Sequence, residues 1–199
     1  DPHPLRIYSL EQSLLLGQAK GTMASTNRPV EEAVGETYSL VVRKADFKFN
    51  AAHFCAYKGF REKLHGHNYK VGVCLESKSF CEDGYLVDFG PVKKVIRSIC
   101  KGFNERFLCP AESDVLKVVK GDTNVEITTE EGSFFSFPLE DTLMLPLKHT
   151  TVEELSSYIW KLIVQKLGEE MLVGRGVHVL EVMVEETPGQ ECRYRKCIT

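Results

Sequence analysis

Three histidines in one short stretch limit what this chain can fold into more than any other feature does. The stretch opening at Phe49, FNAAHFCAYKGFREKLHGHNYKV, holds His53, His65 and His67, half of the chain's six histidines. Alternating apolar residues mark a long strand from Tyr38 to Phe54 and a second from about His65 to Leu75. Side chains two apart on a strand share a face, so His65 and His67 point together, in phase with Tyr69, Val71, Val73 and Leu75. His53 is in phase with Phe47, Phe49 and Ala51. Antiparallel pairing of the two strands would bring the three imidazoles to one point. Such a donor set suits zinc, which takes nitrogen ligands and in catalytic sites keeps a fourth position for water or substrate. The ordinary alternative for each ring is a strand-end imidazole bonded to backbone. The His-x-His spacing with a third phased His weighs against it.

Composition narrows the partners. At 199 residues the chain is long enough for one domain with a core, and its net charge of −3 leaves no basic stripe for nucleic acid. No apolar run is long enough to span a bilayer. The seven cysteines are odd in number and have no CxxC pair, which reads as free thiols in a reducing, cytoplasmic compartment. Cys192 and Cys197 come nearest to a disulfide spacing and are expected to stay reduced. Asp1 in place of an initiating Met is compatible with a leader removed upstream.

Residues 1–36, with Pro2, Pro4, Gly17, Gly21, Pro29 and Gly35, are expected to form an extended or partly disordered arm, and 37–199 a single domain. Residues 56–64 make the loop between the histidine strands, which puts Glu62 beside the ion. A short extended piece at Tyr85–Val87 precedes a helix opened by Asp88-Phe-Gly-Pro91, with Val92, Val95, Ile96, Ile99 and Phe103 on one face. Val125–Thr129 and Phe134–Phe137 flank a turn and predict a β-hairpin, with a further extended piece at Leu143–Leu147. Thr151-Val-Glu-Glu154 is a capping box opening a second helix with Leu155, Ile159, Leu162, Ile163 and Leu167 inward. Strands follow at Val177–Glu186 and Glu191–Ile198. The order ββααββ predicts an α+β layer, a four-stranded antiparallel sheet with two helices on one face and a hairpin insertion between the helices. Both phases are apolar on the second and third strands, so the far face needs cover, and an identical partner would supply it.

At this point the residues resemble a known family. FNAAHF…HGHNYKV, DGYLVDF, HTTVEEL and the terminal VMVEETP are similar to 6-pyruvoyltetrahydropterin synthase and its relatives, from about Tyr38 to the C-terminus. The resemblance implies the tunnelling fold (T-fold), a homohexamer of two stacked trimeric barrels with active sites between protomers, and Zn2+ on His53, His65 and His67. It implies a reduced pterin triphosphate as substrate, anchored by Glu186, with Thr151 as a further pterin contact. Glu186 also fits on chemistry: it ends an apolar strand face, and one carboxylate pairs bidentately with the donors of a 2-amino-4-oxopyrimidine. Glu185 faces the other way, toward solvent.

Two departures modify the expectation. The family's Cys shortly before HGH is missing, Cys55 being a packed thiol, and FREKLHGH resembles a protist-type branch in which Glu does the base's work, here Glu62. The family's Asp-His relay after the first helix is replaced by Asn104-Glu105. Either Glu105 substitutes, or His149 does so from another protomer or loop, or the relay is gone. The reading that follows is a zinc-dependent lyase that cleaves the side chain of 7,8-dihydroneopterin triphosphate to 6-hydroxymethyl-7,8-dihydropterin for folate synthesis. The alternatives are a 6-pyruvoyltetrahydropterin-forming synthase of the tetrahydrobiopterin pathway, a His₃ zinc hydrolase, and a zinc- and pterin-binding protein impaired in turnover.

Overall fold

The computed structural model describes residues 35–198, so the arm expected at the N-terminus lies, up to residue 34, outside the described residues. The two histidine strands are β1 (Tyr38–His53) and, after the tiny hairpin β2 (Ala56–Tyr57) and β3 (Phe60–Arg61), β4 (His65–Ser77). They pair antiparallel from Tyr38↔Ser77 to His53↔His65. Within that ladder the four residues 44–47 of β1 stand opposite Val71 alone, between the pairs Arg43↔Gly72 and Lys48↔Lys70. The slip is odd-numbered, so it reverses the alternation. Val42 before it and Phe47, Phe49 and Ala51 after it are therefore all buried.

Helix α1 (Phe89–Phe103) follows. Its N-cap Asp88 accepts a hydrogen bond from Gly90 N–H at 2.8 Å, and it buries Val92, Ile96, Ile99, Cys100 and Phe103. Then come β5 (Arg106–Pro110), β6 (Lys117–Lys120), β7 (Asn124–Thr128), β8 (Phe134–Pro138) and β9 (Thr142–Leu145). Helix α2 (Val152–Leu167) and the single-turn-and-a-half α3 (Glu169–Gly174) lead into β10 (Val177–Thr187), which turns at Pro188-Gly189 into β11 (Gln190–Cys197). Gly189 sits at φ +84°, the left-handed position that a tight turn after Pro requires.

The expected four strands are present and adjacent, in the order β11-β10-β4-β1, but the sheet does not stop there. It has six strands and is mixed, because β5 and β9 continue it beyond β1 in parallel pairing, Ala51↔Arg106 and Leu108↔Leu143. β9 coincides with most of the extended piece expected at Leu143–Leu147, whereas β5, five residues long, is too short to show alternation in the sequence. The insertion is likewise more than a hairpin: β6 joins β7 and β8 in a three-stranded sheet, although Lys117-Val-Val-Lys120 carries only two apolar residues. Residues 85–87 are not a strand; Leu86 and Val87 enter the core from irregular chain.

Both long helices lie on one face. Ile96 and Ile99 from α1 and Leu155, Ile159 and Ile163 from α2 join Phe47, Phe49, Val71, Val73, Leu180 and Val182 in the main core. Trp160 on α2 donates its indole N–H to Leu180 O at 2.9 Å. A second core lies under the insertion, where Val125, Ile127, Phe135 and Phe137 pack on Phe54, Phe107 and Cys109. The far face of the main sheet is partly covered by the chain itself: Arg195 pairs with Glu76, and Arg43 lies over Met183, so Cys74 and Met183 are buried under arginine stems. All seven cysteines are free, and no helix among the described residues is long and apolar enough to cross a membrane.

Ile159 is fully buried between α2 and the sheet. Ile159→Ala is expected to lower unfolding stability by about 2–5 kcal/mol, seen as a lower denaturant midpoint with an unchanged slope.

Candidate metal centre and active site

The site begins with register. His53 ends β1 directly opposite His65, which opens β4, while Ala51 stands opposite His67. The glycine between the two β4 histidines lets the strands approach here, since a Cβ on Gly66 would stand 3.2 Å from Ala51 O. The three rings converge as expected, with centroids 4.7 Å apart for His53–His65, 4.8 Å for His65–His67 and 5.2 Å for His53–His67. Their ligand atoms all lie within 4.8 Å of one another. His53 Nδ1–H donates to Thr150 O at 3.1 Å, with Thr150 Oγ1 at 3.2 Å, and His65 Nδ1–H donates to Lys63 O at 2.7 Å. A carbonyl partner fixes the proton on Nδ1, which leaves Nε2 of His53 and of His65 with a free lone pair. His53 is 1% exposed, and burial holds its pKa below the usual value despite Glu186 nearby, so it presents a neutral imidazole.

These three donors fit a tetrahedral divalent ion. Metal–nitrogen bonds of about 2.1 Å require nitrogens about 3.4 Å apart, a closure of up to about 1.4 Å from the spacing seen.

Glu186, near the end of β10, places Oε1 3.4 Å from His53 Nε2 and 3.6 Å from His67 Nε2. The same oxygen accepts from Tyr69 Oη at 3.0 Å, and that hydroxyl lies 3.1 Å from His53 Nε2. Burial, and then the Glu186 charge, push the Tyr69 pKa up, so the phenol stays a hydrogen-bond donor. Glu185 faces the other way, as expected, and pairs with Lys70 at 2.5 Å. Glu62 follows the β2–β3 hairpin. Its backbone N–H donates to Cys55 O at 3.0 Å, and its Oε2 accepts from Cys55 N–H at 2.9 Å. The side chain is thus turned into the neck of the loop, and its charge is among those raising the pKa values of the Cys55 thiol and Tyr69 phenol. Cys55 is pushed up to about 12, first by burial, which makes it the packed thiol expected and not a thiolate.

The remaining candidates are placed differently. Thr151 is the N-cap of α2, its Oγ1 accepting from Glu154 N–H at 3.4 Å. The reciprocal arm of the capping box is displaced: Glu154 Oε2 accepts from Lys148 N–H and His149 N–H instead of the cap's own amide. His149 donates Nδ1–H to Ala56 O at 2.9 Å and so braces the loop between the ligands from outside the imidazole cluster. Asn104 is used structurally, capping α1 and accepting Asn50 N–H on Oδ1 at 2.9 Å. Glu105 sits at φ +58°, donates its backbone N–H to Asn50 O at 2.7 Å, and exposes its carboxylate at an open depression of about 470 Å³ that His67 also lines. Among the described residues no hydrogen bond joins it to Glu62 or to the imidazoles.

Three participants were not singled out as site residues. Tyr69 sits in phase with the histidines and reads as core, since nothing local marks its hydroxyl as a bridge. Thr150 precedes the cap and reads as loop. Arg61 reads as a solvated charge beside Glu62, yet its guanidinium lies against two aromatic rings and bonds to Glu131 at 2.5 Å.

The sequence profile described as 6-pyruvoyl tetrahydropterin synthase matches residues 42–197. Among solved structures, the 6-pyruvoyl tetrahydropterin synthase of Plasmodium vivax is 39% identical with a TM-score of 0.79, covering 82% of this chain and 99% of that one. That of Plasmodium falciparum is 37% identical with a TM-score of 0.79, covering 81% and 99%. A Methanocaldococcus jannaschii protein provisionally named 6-carboxy-5,6,7,8-tetrahydropterin synthase is 28% identical over 152 residues, 76% of this chain and 91% of that protein. Fold and relatives together define a lyase or synthase of pterin metabolism. The chain belongs to the 6-pyruvoyl tetrahydropterin synthase family.

The metal centre makes a direct prediction. Purified protein should carry about one divalent ion per chain by elemental analysis, and His53→Ala or His67→Ala should lose it with the fold retained by circular dichroism.

Proposed function

We propose that this protein is a zinc-dependent lyase that cleaves the side chain of 7,8-dihydroneopterin triphosphate to 6-hydroxymethyl-7,8-dihydropterin, a folate precursor. The observation that carries the reading is Glu62, whose carboxylate accepts from Cys55 N–H in the neck of the loop that joins His53 to His65, while the Cys55 thiol in the same loop is held protonated. Solved variants of the Plasmodium vivax relative replace a catalytic Glu by Ala and by Cys, so that relative uses a Glu in catalysis, which supports the same role for Glu62.

His53, His65 and His67 would hold the ion, and a zinc there supplies a Lewis acid that lowers the pKa of the substrate's side-chain hydroxyls. Glu186 orients the pterin through its amino and ring N–H donors, with Tyr69 Oη fixing the carboxylate. Glu62 takes the C2′ hydroxyl proton. The C1′–C2′ bond then breaks in a retro-aldol sense: C2′ leaves as the aldehyde of a triphosphorylated two-carbon fragment, and the electron pair passes into the dihydropterin ring. Protonation of C1′ from Glu62 completes 6-hydroxymethyl-7,8-dihydropterin. A carboxylate is a weak base for a carbon acid, so an activated hydroxyl is its better target. The family's assembly, a homohexamer of two trimeric barrels with sites between protomers, belongs to this reading, and Glu105 or His149 would then serve a neighbouring site.

A second reading, formation of 6-pyruvoyltetrahydropterin by triphosphate elimination, draws on the activity for which the Plasmodium relatives are named. Incubation with 7,8-dihydroneopterin triphosphate followed by mass analysis separates them, since the first gives the hydroxymethyl pterin and the second the pyruvoyl pterin. Glu62→Ala is expected to lower kcat by about 10²–10⁴-fold while bound metal stays at wild-type level. Unchanged turnover would remove Glu62 from the mechanism.

A further inference from the structure

The loop that carries Glu62 is short and largely exposed at its tip, with Tyr57 and Phe60 about half exposed and Gly59 at φ +77°. Two β-strands of two residues each do not hold a loop rigidly on their own. Its order has another source, and the contacts identify it. Gly59 N–H donates to Glu130 Oε2 at 2.9 Å. Arg61 Nε donates to Glu131 Oε1 at 2.5 Å, and Arg61 Nη2 lies 3.5 Å from Ser133 Oγ. Glu130, Glu131 and Ser133 form the β7–β8 turn of the insertion sheet. The other edge of the same guanidinium donates, through Nη1, to Glu62 O at 2.8 Å.

Arg61 is also stacked in place. Its Cζ lies 5.7 Å from the centre of the Phe54 ring and 5.3 Å from that of Phe135. Phe54 is the residue after the His53 ligand, and Phe135 belongs to β8; the two rings are 5.2 Å apart. The side chain is only 19% exposed. A planar, always-charged fork lying against two adjoining aromatic rings, with both edges hydrogen-bonded, has little freedom left. The hydrogen bond from Arg61 draws the Glu131 carboxyl down to about 2, so both partners are charged at neutral pH. The insertion sheet, through its own core on Phe54 and Phe107, is fixed to the sheet that bears the histidines.

We propose that Arg61 is the positioning residue for Glu62, and that the insertion sheet, through Glu131, is the abutment against which it sets that carboxylate in the neck of the loop between the histidine strands. This rests on Glu62 being the base. The device is local: Arg61 touches neither the imidazoles nor the Glu186–Tyr69 pair, so it acts on the placement of one group. A shift of about an ångström in that group costs on the order of 100-fold in rate without altering how substrate is held.

The test uses full-length, metal-loaded protein with Glu131→Ala and Arg61→Lys, the second keeping the charge but not the fork. Both are expected to lower kcat by about 10–100-fold with KM within about twofold, with metal content unchanged. Glu131→Gln, which keeps an acceptor oxygen for Arg61, is expected to recover most of the loss. In a Glu62→Ala background, Glu131→Ala is expected to cost nothing further, because the group it positions is gone. Amide exchange of Cys55 and Glu62, whose N–H groups close the neck of the loop, should accelerate about tenfold or more in Glu131→Ala. That measurement needs no substrate, so it stands even where Glu62→Ala proves harmless and the base reading fails. Wild-type exchange at those two amides in Glu131→Ala, or an equal loss of rate with and without Glu62, would overturn the proposal.

Discussion

The antiparallel register of β1 on β4 is the constraint from which the rest follows. It sets His53 opposite His65 and Ala51 opposite His67, and in the same ladder places Phe49 opposite Tyr69 and Leu40 opposite Leu75. One face of that pair is therefore both the wall of the main core and the floor of the imidazole cluster. The helices bury the apolar length of it, and the imidazoles take over where the helices end. Glu186 belongs to the same face because β10 pairs with β4 in register, Val182↔Val73 and Val184↔Val71, and so delivers its carboxylate beside the ligands. Packing and chemistry are fixed together: slipping either strand by one residue would expose the core and scatter the ligands at once.

What could be read from the chain divides along the same line. The three histidines, Glu186 and the inward faces of α1 and α2 follow periodicities of two and 3.6, which a sequence displays directly. Glu62 came from its place in the loop between ligands and from likeness to one branch of the family. β5 escaped because a strand of five residues carries too few to display a period, and although an extended piece is expected at Leu143–Leu147, where β9 lies, its parallel pairing on β5 leaves no mark in the sequence. Tyr69, Thr150 and Arg61 escaped for a different reason. Each acts through a partner far away in sequence, Glu186 for Tyr69, His53 for Thr150 and Glu131 for Arg61, and nothing near each residue foretells that partner.

The departures from the family pattern also acquire physical content. Asn104 is a cap and a tie to β1, roles suited to an uncharged amide, and Glu105 occupies a left-handed backbone position that seldom suits a residue with a Cβ. Chain geometry at the end of α1, where the strand must reverse into β5, accounts for much of what this dipeptide does. Glu105 is left exposed at an open depression that His67 also lines.

The slip in β1 at residues 44–47 has a corollary for how this chain can vary. Because an odd number of extra residues restores the inward phase for Phe47 through His53, that corner works by parity. Lengthening or shortening it by two leaves every ligand on its side of the sheet, whereas a change of one turns His53 outward while the strand itself goes on pairing. Length variation among functional descendants of this chain should therefore come there in pairs.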